Sequence, residues 1–221
     1  MKRQYLGDSK DSFKWDYLDY LTNGLDYPLL NVVLMLTPDD NSKQGRTQPE
    51  LFRSREEVID FCRVLKKQPD FQLIKKLPES TGSKYLVELH KEETYFTSEN
   101  RQEYMTGISS EKRQVLFLDP DNGFEPEKSR NGKHVLYSDV AAILKQMSEE
   151  AVISVFQHFR YISFNKDFSR IKERIPSGYS AALYWHSLIF VTISKTKEII
   201  KKVSELNHQY YSQEYPVKVL Q

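Results

Sequence analysis

Three short runs of apolar residues, each followed by polar turn residues, most constrain what this chain can fold into. They span Asn31 to Thr37, Gln114 to Leu118 and Ala151 to Phe156. Runs of this length are typical of strands that are buried on both faces of a parallel sheet. Because amphipathic segments alternate with these runs, the sequence predicts an α/β fold with helices on both faces of the sheet.

The last third of the chain breaks this alternation. Two strand-like segments, Ser180 to Tyr184 and Leu188 to Ile193, follow one another across a short turn. A connection this short can join only antiparallel strands, so the pattern predicts a hairpin within an otherwise parallel sheet. The remaining patterns predict strands at 71–74, 85–90 and 94–97 and helices at 11–23, 50–68, 98–106, 168–175 and 197–211. Asp8 or Ser9 is predicted to cap the first helix, and Ser138 is predicted to cap a further helix.

Length and charge set the broad class of the protein. No repeat or Gly/Ser/Pro-rich linker divides the 221 residues. We therefore expect one α/β domain over residues 1–221, with residues 1–28 as an N-terminal helical segment packed on it. Lys and Arg total 32 and Asp and Glu total 31. This balance argues against a nucleic-acid binder that depends on a basic tail, although it leaves a local basic groove open.

Cysteine content and hydropathy bear on the compartment. The single cysteine, Cys62, excludes an intrachain disulfide and a zinc site built from cysteines. The first residues lack the apolar segment of a signal peptide. The longest uncharged stretch, Ser177 to Ser194, contains Gly, His and several Ser, whereas a membrane helix needs about 20 mostly apolar residues. We expect a cytoplasmic protein without a membrane span.

The loop after the second apolar run carries the strongest candidate site. Ligands of open α/β sheets bind at the carboxyl ends of the strands. Here the chain reads Asp119-Pro120-Asp121-Asn122-Gly123-Phe124. Carboxylates at this point can accept protons, hold a metal or hydrogen-bond an amine, and an ordinary Asx turn uses the same residue types.

Three further groups of residues belong to the same predicted edge of the sheet. Thr37-Pro38-Asp39-Asp40 follows the first run, where an acid can bind ribose hydroxyls or a cation, or where the residues form a capped turn. Gln157 and His158 follow the third run. Lys10 and Lys14 lie at the start of the first helix, where they and the free helix N–H groups can hold a carboxylate or phosphate, or form a solvated face.

Several familiar signatures are absent. The chain has no glycine-rich dinucleotide fingerprint, no Walker A loop, no H-E-x-x-H and no G-x-S-x-G. None of the five His residues has a partner His four residues away. We therefore assign no metal site from motifs.

In chain order, Gly7-Asp8 with Phe13-Lys14, Leu36-Thr37-Pro38-Asp39-Asp40, Phe117 to Glu125 and Gln157-His158 form a pattern. It resembles a family of uncharacterised bacterial proteins. That family is distantly similar to S-adenosylmethionine-dependent methyltransferases of the ribosomal RNA adenine type and to three-Cys-motif partner proteins. The resemblance implies a Rossmann-like, seven-stranded, mostly parallel sheet with a C-terminal antiparallel strand at Leu188 to Ile193.

The resemblance also implies a site. Lys10 and Lys14 would contact the methionine end of S-adenosylmethionine, and Thr37 to Asp40 would form the cofactor loop. Asp119-Pro120-Asp121-Asn122 would align with an Asp-Pro-Pro-Tyr type of catalytic motif, in which the Asp side chain and a Pro carbonyl accept hydrogen bonds from an exocyclic amine. The chain departs from that motif at Asp121 and Asn122, with Phe124 as a substitute aromatic ring for a flipped base.

Three functions follow as hypotheses. The first is a methyltransferase-like enzyme that uses S-adenosylmethionine and acts on nucleic acid through a degenerate Asp-Pro-Asp-Asn motif. The second is a non-catalytic binding or regulatory protein on the same fold, with a protein partner. The third is a metal-dependent phosphoesterase or nuclease, for which Mg²⁺ would take oxygen ligands from the acids of the two loops, namely Asp39, Asp40, Asp119, Asp121 and Glu125.

Overall fold

The computed structural model describes residues 1–40, 45–108, 113–128, 132–212, 215 and 217–220. Within these ranges a seven-stranded sheet is covered by helices on both faces. The strands are β1 Leu29–Val33, β2 Leu86–Leu89, β3 Gln114–Leu118, β4 Gly123–Phe124, β5 His134–Val135, β6 Val152–His158, β7 Tyr179–Trp185, β8 Leu188–Ser194 and β9 Lys218–Leu220. Strands β4 and β5 form a separate two-stranded sheet. The α-helices are α1 Ser9–Gly24, α2 Glu56–Lys67, α3 Leu77–Thr81, α4 Arg101–Met105, α5 Tyr137–Gln146, α6 Phe164–Arg174 and α7 Lys197–Ser212.

The sheet is mixed, with the strand order β2-β1-β3-β6-β8-β7-β9. The β1–β2, β1–β3 and β3–β6 pairs are parallel, whereas the β6–β8, β7–β8 and β7–β9 pairs are antiparallel. The predicted α/β class and the predicted hairpin are confirmed. The antiparallel strand predicted at Leu188 to Ile193 is confirmed as β8. It is not the last strand of the sheet, because β9 pairs antiparallel with β7 after helix α7.

The central strands are apolar along their whole length because both of their faces are covered. On β3, Val115 and Phe117 pack into one core, which also contains residues of α1, α2 and α7. Leu116 and Leu118 pack into a second core with residues of α5 and α6. A strand buried on both faces cannot alternate apolar and polar residues, so a continuous apolar run predicts it.

Helix α1 is buried although many of its residues are charged. Arg55 donates from Nε to Asp16 Oδ1 at 2.7 Å, and its Nη2 lies 2.8 Å from Asp19 Oδ2. Tyr210 of α7 donates to Asp16 at 2.6 Å, and Tyr85 donates to Asp19 at 2.7 Å. These contacts satisfy the buried carboxylates and hold α1 between α2 and α7, which places the N-terminus of α1 at one end of the sheet.

Several predicted elements differ from the structure. Residues 71–74 form part of a 3-10 helix, Phe71–Lys76, because Asp70 caps it by accepting the N–H of Gln72 at 2.9 Å. Residues 94–97 form no strand. Strand β1 begins at Leu29, two residues before the first apolar run, and it ends at Val33, within that run. Beyond the strand, Met35 has a positive φ of 45°.

Helix bounds also shift. Helix α2 begins at Glu56 because Pro49–Leu51 forms a separate 3-10 turn. The predicted helix at 98–106 shortens to α4, and α6 begins earlier than predicted, after a cap at Ser163. Leu136 rather than Ser138 precedes α5, and the Asp139 carboxylate accepts its N–H at 2.9 Å. Among the helices described, none reaches the length and apolar character needed to cross a bilayer.

Candidate functional site

A pocket of about 240 Å³ opens at the carboxyl ends of β1, β3 and β6, beside the N-terminus of α1. We call it the rim pocket. Strand β1 pairs with β2 on one side and with β3 on the other, so the pocket lies where the strand order reverses. This is the position at which open α/β sheets bind ligands. Its charged lining consists of Asp8, Asp11, Asp40, Asp119 and Asp121, Lys2, Lys10, Lys14 and Lys133, with His158 beside them.

A buried ion cluster forms the floor of the rim pocket. Lys14 Nζ lies 2.8 Å from Asp119 Oδ2 and 2.9 Å from Asp11 Oδ1, and it also lies 4.9 Å from the ring centre of Phe156. Burial alone would lower the pKa of Lys14, but Asp11 and Asp119 raise it above its ordinary value. Burial raises the pKa of Asp119, and Lys14 opposes that rise. Lys14 and Asp119 are therefore already bound to each other.

Asp8 caps helix α1 with only one of its two carboxylate oxygens. Oδ1 accepts the N–H groups of Lys10 and Asp11 at 2.9 and 3.0 Å. Oδ2 is buried and has no hydrogen-bond partner in the described part of the chain. Burial, and then the negative charge of Asp11, raise the pKa of Asp8 to about 6. A buried acceptor without a donor is costly, so this oxygen indicates a place for a ligand or a water.

We expect Asp8→Asn to remove a pH-dependent penalty on folding. The folded-state pKa of about 6 lies above the ordinary Asp value, so the folded state retains a proton that the unfolded chain has lost. The contribution of Asp8 to the stability of the wild-type protein should therefore fall as the pH rises from about 4 to about 6. Asn caps helices as well as Asp does. The variant should gain about 1–3 kcal/mol relative to wild type across that range, measured by urea unfolding at a series of pH values.

The exposed cap at Asp70, which accepts the Gln72 N–H, supplies the matched control. Asp70→Asn makes the same chemical exchange at the surface. For each variant, the stability is compared with that of wild type at each pH. If this difference changes with pH in the same way for Asp70→Asn as for Asp8→Asn, the pH-dependent penalty does not come from the burial of Asp8.

His158 and Lys10 face the rim pocket, and the His158 ring lies edge-on to the Phe156 ring with centres 5.6 Å apart. Burial, and then the charges of Lys10 and Lys14, lower the pKa of His158 to about 3, which leaves the imidazole neutral at neutral pH. In the ranges that the structure describes, neither the His158 ring nor the Lys10 ammonium makes a hydrogen bond or ion pair. A neutral imidazole offers one donor and one acceptor, and the ammonium offers three donors.

The loop after β1 is held by the N-terminal residues. Asp39 accepts the N–H of Gln4 at 3.1 Å, and Asp40 pairs with Lys2 and with the side-chain amide of Gln4. Asp40 lines the rim pocket, whereas Asp39, Thr37 and Pro38 do not. The acids at this loop therefore bind the chain itself.

The turn after β3 is fixed from the same side. Thr37 Oγ1 donates to Asp121 Oδ2 at 2.5 Å, and the Met1 amino group lies 2.9 Å from Asp121 Oδ1. That amino group also contacts the carbonyl oxygens of Leu34, Met35 and Asp119. Burial opposes ionisation of Asp121, but the amino group and Thr37 hold its pKa below the ordinary value.

Two further predicted site residues, Phe124 and Gln157, also lie outside the rim pocket. Phe124 is fully buried and stacks on Tyr137 with ring centres 5.3 Å apart, so it presents no ring to a bound base. Gln157 is also buried; its Oε1 accepts the Phe124 N–H at 3.1 Å and its amide donates to Asp167. Pro120, Asn122 and His158 do line the rim pocket.

Sequence reasoning did not assign Asp11 or Lys133 to the site, and it used Asp8 only as a helix cap and as part of the resemblance pattern. Helical spacing places Asp8, Asp11 and Lys14 on one face of α1. That spacing is a usable signal, but nothing local indicates that this face meets Asp119.

No protein-family model matches the chain, and no curated protein matches it. In the described part of the chain, no group of three or more His, Cys, Asp or Glu residues has an arrangement suited to a metal ion.

Proposed function

We propose that this protein binds a compact polar ligand in the rim pocket, as a binding or regulatory protein on a methyltransferase-like sheet. One observation carries the proposal: polar side chains with unmet hydrogen bonds converge on a pocket at the point where the strand order reverses. They are Asp8, through its buried Oδ2, together with Lys10 and His158. Titratable groups with shifted pKa values that gather in a cleft are typical of functional sites.

The lining determines the chemistry of the ligand. Lys10 suits a carboxylate or another anionic group, and Asp8 Oδ2 requires an N–H or O–H donor. His158 can donate to the ligand or accept from it. The volume of about 240 Å³ is below the roughly 300–1,000 Å³ of most pockets for drug-sized ligands. A small molecule that carries an anionic group and a donor on neighbouring atoms meets these requirements.

Complete S-adenosylmethionine does not fit the described arrangement. Lys14 is bound to Asp11 and Asp119, so it is not available for the methionine carboxylate. Asp119 Oδ2 is occupied by Lys14, and an exocyclic amine would have to displace a buried ammonium to reach it. Asp39 and Asp40 bind Gln4 and Lys2. In this arrangement the residues of the rim pocket therefore support no methyl-transfer step.

Methyl transfer remains the second candidate, and one observation favours it. Strand β8 runs antiparallel between β6 and β7, in the segment where the resemblance expects the antiparallel strand of a methyltransferase sheet, and Asp119 and Pro120 line the rim pocket. This function requires the segment from Met1 to Tyr5 to move away from the β1 loop. A metal-dependent phosphoesterase has no comparable support from the arrangement of the described acids.

Titration calorimetry tests the proposal with defined probes. The probes are the twenty α-amino acids, glycolate, lactate and malate at millimolar concentration, with S-adenosylmethionine and S-adenosylhomocysteine in parallel. We expect a compact probe to bind and Lys10→Ala to weaken that binding about 10-fold or more, because a charge-assisted contact contributes roughly 1.5–3 kcal/mol. Lys67→Ala, on the exposed face of α2, should leave binding unchanged.

The outcomes separate the two candidates. Binding of S-adenosylmethionine or S-adenosylhomocysteine in preference to every compact probe would replace the proposal with methyl transfer. Heat from no probe, or equal effects of Lys10→Ala and Lys67→Ala, would contradict a ligand site in the rim pocket. Thermal unfolding provides a second readout, since a ligand at about 100 times its Kd stabilises the folded state by about 2.7 kcal/mol.

A further inference from the structure

Four neighbouring aromatic rings form a surface beyond the carboxyl end of β6. Ring centres lie 5.8 Å apart for Phe159 and Tyr161, 5.6 Å for Phe159 and Phe164, and 4.6 Å for Phe164 and Tyr184. Phe159 is 41 % exposed and Tyr161 is 94 % exposed. We call these four residues the aromatic surface. Single exposed aromatics are ordinary, but a continuous row of them marks an interaction site.

The backbone holds the most exposed of these rings in an unfavourable conformation. Tyr161 has a φ of 61°, in the left-handed region that bulky residues avoid. With its ring in solvent, Tyr161 gains no burial that would offset this conformation. Strained residues of this kind concentrate at binding sites, where they place a side chain that a relaxed backbone would direct elsewhere.

A groove of about 380 Å³ runs beside the aromatic surface, and the charged residues next to it indicate the occupant. Among the residues that the structure describes, the groove lining contains no Asp, Glu, Lys or Arg. Lys218 on β9 pairs in register with Tyr184 and shares its face of the sheet, and Lys166 is exposed on the first turn of α6. Asp167, the adjacent acid in sequence, is buried and paired with Arg160.

We propose that the aromatic surface binds single-stranded nucleic acid. Unpaired bases stack on exposed aromatic rings, and lysines beside them contact the phosphates. Phe159, Tyr161 and Tyr184 supply the rings, and Lys166 and Lys218 supply the charges. A duplex cannot use this surface, because its bases are already stacked on one another. The site is separate from the rim pocket, so it neither requires nor establishes the ligand proposed there.

Fluorescence anisotropy with a labelled single-stranded RNA, the matching single-stranded DNA and the corresponding duplex tests this inference on the full chain. Tyr161→Ala and Phe159→Ala should each weaken single-strand binding about 5- to 100-fold, the range that loss of one stacked base produces. Tyr95→Ala and Tyr211→Ala are matched controls, because these rings are 54 % and 53 % exposed at other places on the surface. Both controls should bind like wild type.

Salt dependence provides a second readout that a merely structural role would not change. Two phosphate contacts predict a slope of about −1.4 in a plot of log K against log salt, and Lys218→Ala should reduce its magnitude by about 0.7. Tighter binding of the duplex, or weakening by the control variants equal to that by Tyr161→Ala, would overturn the inference. So would self-association in sedimentation that Tyr161→Ala abolishes, because the surface would then serve a second copy of this chain.

Discussion

Replacing Lys14 with methionine is expected to destabilise the fold by about 3–5 kcal/mol, the usual cost of removing one partner from a buried ion pair. Asp11 and Asp119 are 1 % and 2 % exposed, and both contact the Lys14 ammonium. Methionine fills a similar volume, so packing changes little. What remains is two buried carboxylates without their cation. Urea unfolding at neutral pH, followed by circular dichroism, measures the loss.

The pH dependence of this variant distinguishes lost charge pairing from lost packing. Without Lys14, the ammonium no longer opposes the rise in the pKa of Asp119 that burial causes, so the folded state takes up a proton as the pH falls. The destabilisation should therefore shrink in acid, which also permits the measurement if the variant fails to fold at neutral pH. Lys172→Met is the control, since Lys172 lies 4.7 Å from the Phe168 ring centre on an exposed helix face. Equal losses in the two variants would disprove the ion-cluster explanation.

The strands of this fold were predictable wherever burial on both faces left a continuous apolar run. The run Gln114 to Leu118 coincides with β3, and the hairpin segments coincide closely with β7 and β8. The prediction failed where a short apolar segment had a stronger local alternative. Phe71, Leu73 and Ile74 carry apolar side chains, but the Asp70 cap favours a helical turn there. Strand β9 is three residues long and follows α7, so its pairing depends on the β7 edge and not on its own sequence.

The sequence predicted where the candidate site lies on the sheet, but it predicted only some of the residues that form the site. Strand-end loops indicated the edge of the sheet that carries Asp119 and Asp121, and the helix entry indicated Lys10 and Lys14. The contact between Lys14 and Asp119 joins residues 105 positions apart. Such a contact depends on how α1 packs against the sheet, which no local pattern specifies. Phe124 was wrongly included in the site. Its proximity to the motif in sequence suggested a site role, whereas its ring is buried against Tyr137.

Gly7→Ala is expected to destabilise the protein by about 3–5 kcal/mol, because overpacking and a left-handed backbone both oppose a side chain there. Gly7 has a φ of +74°, and a Cβ at this position would lie 2.1 Å from the carbonyl oxygen of Cys62 and 2.5 Å from the amide nitrogen of Lys66. Both atoms belong to the backbone of α2, so no side chain can rotate away. Urea unfolding measures the loss.

Gly82→Ala separates the two causes, since Gly82 has a similar φ of +70° and nothing within 4 Å of its Cβ position. It should cost only about 1–2 kcal/mol, the penalty of the left-handed conformation alone, and equal losses in the two variants would rule out the clash. The excess at Gly7 therefore measures how closely α1 must approach α2. Because the Gly7 N–H donates to Asp11 at 2.8 Å and Asp8 follows it directly, separating the two helices should also displace the rim pocket and weaken whatever ligand it binds.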